Sequence, residues 1–141
     1  MTKNILIVDD DKAITSQHRL YFESVGYGVV EANSVERAMV YFRDLEIHGI
    51  ITDITMEPRD GIDFIQAVRA IDKKIPIICV SSAGEKFLQK AVNHGGNLGF
   101  EKPVAPLSLT NAMEKLLKAW PGEEVLGSKE LEDNFDDCPS N

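Results

Sequence analysis

With 141 residues, a net charge of −8, 43% hydrophobic and 7% aromatic residues, the chain has the size and apolar content of one ordinary domain that buries its own core. No apolar run approaches the roughly 20 residues of a membrane-spanning helix, and Ile5–Val8 is too short for a signal-peptide core, so a cytoplasmic protein with no membrane partner is expected. The charge pattern carries no basic stripe of the kind nucleic acid requires, and Cys79 and Cys138 have no Cys or His partners at ligand spacing, which excludes a zinc site or a disulfide framework.

Ile5–Val8 reads as the first strand. A helical stretch follows with Ile14, Tyr21, Phe22 and Val25 on one face; His18 lies among them and is expected to be a partly buried, satisfied histidine rather than a ligand. Gly26 and Gly28 mark a turn before a second strand at Val29–Val30. Asn33 followed by Glu36 resembles a helix start, and Val35, Ala38, Met39 and Phe42 form the apolar face of that helix. The third strand covers Gly49–Thr52 and its helix carries Phe64, Ile65, Val68 and Ile71. Lys73-Lys74 reads as a solvated loop before the fourth strand, Ile75–Val80, which holds Cys79 as a buried thiol. Phe87, Leu88, Ala91 and Val92 define the fourth helix, Gly95-Gly96 a turn, Leu98–Phe100 a weak fifth strand, and Leu109, Met113, Leu116, Leu117 and Trp120 the last helix. Pro121-Gly122 breaks it. Beyond lie seven acids (Glu123, Glu124, Glu130, Glu132, Asp133, Asp136 and Asp137) against the single base Lys129, so residues 121–141 are expected to form a disordered acidic tail on a domain spanning 1–120.

Continuous Val/Ile-rich strands alternating with amphipathic helices predict an α/β fold: a (βα)5 doubly wound parallel five-stranded sheet with helices on both faces. Functional groups in such sheets gather beyond the carboxyl ends of the strands. Those ends carry Asp9, Asp10 and Asp11 after the first strand, Asp53 after the third, Ser81 and Ser82 after the fourth, and Lys102-Pro103 after the fifth. With strand order 2-1-3-4-5 they converge. Crowded carboxylates repel at neutral pH, and a hard cation such as Mg²⁺ relieves the repulsion. With an ammonium and a hydroxyl beside them, the set suits transfer of a phosphoryl group onto a carboxylate.

Ile5-Leu6-Ile7-Val8-Asp9-Asp10-Asp11, Ile50-Ile51-Thr52-Asp53, Ile77-Ile78-Cys79-Val80-Ser81-Ser82 and Glu101-Lys102-Pro103 together resemble the response-regulator receiver domain, over about residues 3–120. The resemblance implies a flavodoxin-like sheet and a phosphorylation-dependent switch of two-component signalling. It implies Asp53 as phosphoacceptor. Asp10 would be a direct Mg²⁺ ligand, with Asp9 acting through water and the Thr55 backbone carbonyl also on the metal. Ser81 would turn toward the phosphate and Lys102 would pair with it across a cis Lys102–Pro103 bond. It further implies a sensor histidine kinase or histidine phosphotransfer protein as donor, and a downstream protein target docking on the face of the fourth helix, fifth strand and fifth helix. No fused output domain is expected, and no enzymatic turnover beyond self-phosphotransfer and autodephosphorylation.

The chain departs from that pattern twice. Glu57 stands where the family has Pro, with Pro58 one residue later, although Gly61 is in place. Gly99 stands where the family has a switch aromatic, so that either Phe100 serves after a one-residue slip or the chain signals without that relay. Two other readings remain: a degenerate receiver-like interaction module that takes no phosphate, and an Asp-nucleophile phosphate hydrolase built on Asp9 and Asp11. Asp9–Asp11 as a mere helix start and Asp53 as a mere cap are the bland counterparts.

Overall fold

The computed structural model of the chain describes residues 2–55 and 61–119. Glu57, Pro58, Trp120, Cys138 and the segment 121–141 lie outside the described residues. Among the described residues, strands β1 (Asn4–Val8), β2 (Gly28–Ala32), β3 (Gly49–Asp53), β4 (Ile77–Ser81) and β5 (Leu98–Glu101) alternate with helices α1 (Lys12–Ser24), α2 (Val35–Asp44), α3 (Gly61–Ile71), α4 (Glu85–Asn93) and α5 (Pro106–Ala119). All strands pair in parallel, in the order β2-β1-β3-β4-β5. This is the expected flavodoxin-like α/β arrangement.

The central strands β1, β3 and β4 are largely apolar because both faces of the sheet are covered there. Residues of β1, β3 and β4 divide between two cores with the period of two that a strand imposes. Leu6, Val8, Ile50, Ile77 and Cys79 pack under α2, α3 and α4, together with Phe64, Ile65 and Val68. Ile5, Ile7, Ile51, Ile78 and Val80 pack under α1 and α5, together with Phe22, Leu109 and Met113. Losing a fully buried aromatic such as Phe22 or Phe64 to Ala costs about 3–5 kcal/mol in such settings.

The helices differ from the sequence reading in detail. The buried stripe of α1 is Thr15, His18 and Phe22. Tyr21 and Val25 are 46% and 59% exposed, because the helix turns its 15–18–22 side to the sheet. Helix α2 is capped by Ser34, not Asn33: the Ser34 hydroxyl accepts from the Arg37 amide at 3.1 Å. Ile71, at the end of α3, is exposed rather than part of the core.

Gly61 opens α3 directly behind the tip of β3. A Cβ there would stand 2.5 Å from the Asp53 carbonyl oxygen and 2.7 Å from Ile54 Cα, both backbone atoms that cannot swing aside. Gly61→Ala is therefore expected to lower the urea midpoint by the equivalent of about 1–3 kcal/mol. Equal denaturation curves for the two proteins would show that the approach is looser than this.

Candidate functional site

The tips of β1, β3 and β5 meet at the carboxyl end of the sheet. Asp9 directly follows β1, and its backbone N–H donates to the Ala32 carbonyl of β2, fixing the chain as it leaves the sheet. Asp53 is the last residue of β3, and both side chains are only 5% exposed, whereas Asp10 is exposed. One carboxylate oxygen from each of Asp9, Asp10 and Asp53 lies within 4.8 Å of the others. Lys102 follows β5 and enters the same point: its Nζ donates to Asp53 Oδ2 at 2.8 Å and to Asp9 Oδ2 at 2.9 Å.

The remaining oxygens are also engaged. Asp9 Oδ1 accepts from the Asp11 amide at 2.9 Å. Asp53 Oδ1 accepts from the Thr55 amide at 2.9 Å and from the Thr55 hydroxyl at 2.7 Å. Asp11 stands apart from the cluster. Its side chain accepts from the Ala13 amide at 3.0 Å and caps α1. The pair Asp9 and Asp11 is thus divided between the site and a helix cap. The sequence reading misses the Thr55 hydroxyl contact, although a Thr two residues past a strand-end Asp is a known pattern of local side-chain turns.

Ser81 is fully buried at the end of β4, and its hydroxyl accepts from the Ala83 amide at 2.9 Å. Ser82 is exposed, on the rim of a cavity of about 360 Å³ that it shares with Lys102, Pro103, Val104 and the α1 residues Ile14 and His18. The Lys102–Pro103 bond is cis, as expected. The β4–β5 register pairs Val80 with Phe100 and Cys79 with Gly99, without a bulge. Gly99 faces Leu88 of α4, while Phe100 turns to the opposite core, toward α5.

Burial shapes the charges. It pushes the Asp9 carboxyl above its ordinary range, against the opposing pull of the Lys102 hydrogen bond. It would lower the Lys102 ammonium, but the hydrogen bonds to Asp53 and Asp9 prevail and hold it above the ordinary lysine value. His18 is held low by burial and by the charge of Lys102, and it bonds the Val104 backbone, so it is the satisfied histidine the sequence suggested. The Cys79 thiol, buried, is pushed up to about 12 and is inert.

These donors fit a hard divalent cation: among the described residues, three carboxylates converge on one ammonium, which leaves negative charge in excess. A doubly wound parallel sheet with acids, a hydroxyl and an ammonium at its carboxyl tips places the chain in the class of flavodoxin-like α/β domains with an acidic site at the strand ends. Residues 5–114 match the family described as "Response regulator receiver domain", and the chain belongs to that family, the receivers of two-component signalling. It is 30% identical over 120 residues to the chemotaxis protein CheY of Thermotoga maritima, covering 84% of this chain and 100% of that protein. It is 29% identical over 118 residues to the two-component response regulator PprB of Pseudomonas aeruginosa, covering 80% of this chain but 43% of that protein. Among solved structures, the chemotaxis response regulator CheY4 of Vibrio cholerae shares the fold, with a TM-score of 0.76 at 23% identity over 82% of this chain and 99% of that one. Among the described residues, no helix is long and apolar enough to cross a membrane.

A carboxyl whose folded pKa is raised contributes stability below its unfolded value and loses it as pH rises through the folded one. Ionised Asp9 therefore strains the metal-free fold at neutral pH. Asp9→Asn is expected to raise the metal-free melting temperature at pH 7 and to flatten the loss of stability that Asp9 contributes as pH rises above the ordinary carboxylate range, read by calorimetry as a function of pH. A lower melting temperature would mean that the Lys102 pair outweighs desolvation.

Proposed function

We propose that residues 1–120 form a phosphorylation-dependent receiver switch in which the Asp53 carboxylate accepts a phosphoryl group, and that 121–141 form an acidic tail. The observation that carries the reading is the double contact of Lys102 Nζ with Asp9 and Asp53, inside a cluster of three carboxylates. Asp9, Asp10, Asp53 and the Thr55 carbonyl would hold Mg²⁺, which when bound supplies charge to offset that of the transferring phosphoryl oxygens. In the transfer, an Asp53 oxygen attacks phosphorus in line, the P–N bond of a phosphohistidine breaks, and the donor imidazole departs with the electron pair. Lys102 follows the charge from the carboxylate to a phosphoryl oxygen. Ser81 offers its hydroxyl to another, in the family's manner, and is the candidate switch residue, while Phe100 packs in the core on the α1 and α5 side and carries no relay toward α4. The donor is a sensor histidine kinase or histidine phosphotransfer protein, and the receiving partner docks on the α4–β5–α5 face. The chain turns over no substrate beyond its own phosphorylation and dephosphorylation, and it acts in the cytoplasm.

Incubation with acetyl phosphate and Mg²⁺ is expected to add one acid-labile phosphoryl group by intact mass. Asp53→Ala should abolish it, and Lys102→Ala should slow its formation by about 10²-fold, the size of effect expected on losing a positioned cationic contact to developing charge. Omitting Mg²⁺ should suppress it as well. An adduct that survives Asp53→Ala would place the acceptor elsewhere, and no adduct at all would favour the interaction-module reading.

A further inference from the structure

At the end of the sheet opposite the acidic site, the last turn of α2 and the loop after it face the end of α3 across an open groove of about 790 Å³. Its apolar lining is Phe42, Leu45, Ile47 and Ile71. Leu45 and Ile71 are 46% and 59% exposed, large side chains that the fold leaves uncovered. Arg43, Lys73 and Lys74 stand around them. Of the two acids of the groove, Asp72 serves local structure and Glu46 is exposed. Asp72 Oδ1 accepts from the Lys74 amide at 2.8 Å and the Ile75 amide at 3.1 Å, and Glu46 lies 3.7 Å from His48. Three cations against two acids leave the lining with one net positive charge over an apolar floor.

The sequence contains a segment of the complementary kind. Between Glu123 and Asp137, Val125, Leu126, Leu131 and Phe135 are set among seven acids, while the rest of the chain is close to neutral. This segment leaves the domain at the right end. Helix α5 stops at Ala119, and its Met113 lies against Gly49, the first residue of β3, just past the loop that carries Leu45 and Ile47. From Ala119 to Leu131 the chain can span about 40 Å at roughly 3.3–3.6 Å per residue, more than the width of a domain whose radius of gyration is about 13 Å.

We propose that this groove is the docking site of the chain's own acidic C-terminal segment. Apolar residues from 125–135 rest on Leu45 and Ile71, and the neighbouring carboxylates face Arg43 and Lys73. Isolated surface ion pairs hold little, so the contact depends on several acting together over buried apolar area, and it weakens as salt rises. The Lys73-Lys74 pair, which reads as a plain solvated loop in the sequence, becomes one side of an intramolecular interface.

Cys138 supplies the probe. Cys79 is buried with its thiol pushed up to about 12, so a nitroxide reagent labels Cys138 in the full chain. In isotopically labelled protein, the amides of Leu45, Ile71 and Lys73 are expected to broaden selectively, while Asp10 and Ser82 at the far end are unaffected. The broadening should fall by more than half with Arg43→Glu and Lys73→Glu together, and equally with Glu130→Gln, Glu132→Gln and Asp133→Asn, which leave the folded body untouched. Half-molar salt should have the same effect. Broadening that is uniform, absent or centred on another face overturns the proposal. So does broadening in a mixture of spin-labelled chains with separate isotope-labelled chains, which would make the occupant a second copy.

Discussion

The ammonium of Lys102 lies 2.8 Å from one carboxylate and 2.9 Å from another, and the upper end of the molecule is organised around that point. Each of the three charges is mostly removed from water, and any one alone would be costly to bury. Together they are tolerable, and still not balanced: two buried carboxylates share one cation, and a third carboxylate, Asp10, stands within reach. Among the described residues, that end of the sheet is left with negative charge in excess.

That meeting depends on the sheet. Residues 9, 53 and 102 are far apart in the chain, and β4 separates β3 from β5. Lys102 reaches over the end of β4, where its own amide continues the ladder by donating to the Ser81 carbonyl at 2.8 Å. A parallel sheet puts all its carboxyl tips at one level, and burial on both faces fixes the register, since a slip of one residue would send each side chain to the wrong core. The long lysine side chain then covers the remaining distance. Arg69 steadies the other end of the same strands. Its guanidinium joins the Gly95 carbonyl, the Asp72 carbonyl and the Asn97 side chain, and Asn97 Oδ1 also accepts from the Ile77 amide.

The strand order and the acidic site were legible because they rest on strong signals: unbroken apolar runs, and polar residues placed where those runs stop. The face of α1 was not. Tyr21 and Val25 fit an apolar stripe by spacing alone, but Thr15 and His18 take the buried positions because each has a polar partner there, Glu31 for the hydroxyl and the Val104 backbone for the ring. Such partners come from distant parts of the chain, and spacing does not reveal them. The cap of α2 escaped for a different reason. Asn33 and Ser34 are both good caps, and only the path out of β2 decides between them. Arg19 meets Glu23 one helical turn on at 3.0 Å, a pair that spacing does reveal, but its 2.6 Å contact with Glu31 of β2 is invisible to a local reading.

The departure at Gly99 gains a physical meaning from the alternation of β5. Position 99 faces α4, and a Cβ added there would stand 3.2 Å from Leu88 Cδ2, so Leu88 already occupies the space an aromatic would need. Phe100 faces the other core and has no path to that space without turning the strand over. Any signal that leaves toward α4 must then pass through the backbone and the loop after β4. That loop is lightly held. Helix α4 starts at Gly84 with no side-chain cap, and the Ala83 amide just before it relies on the Ser81 hydroxyl. If Ser81 turns to a phosphoryl oxygen as proposed, Ala83 loses its acceptor, and the start of α4 loses a restraint that no neighbouring cap replaces. A hydroxyl shared between a helix start and an incoming phosphate couples the two by competition, without an aromatic side chain to carry the motion.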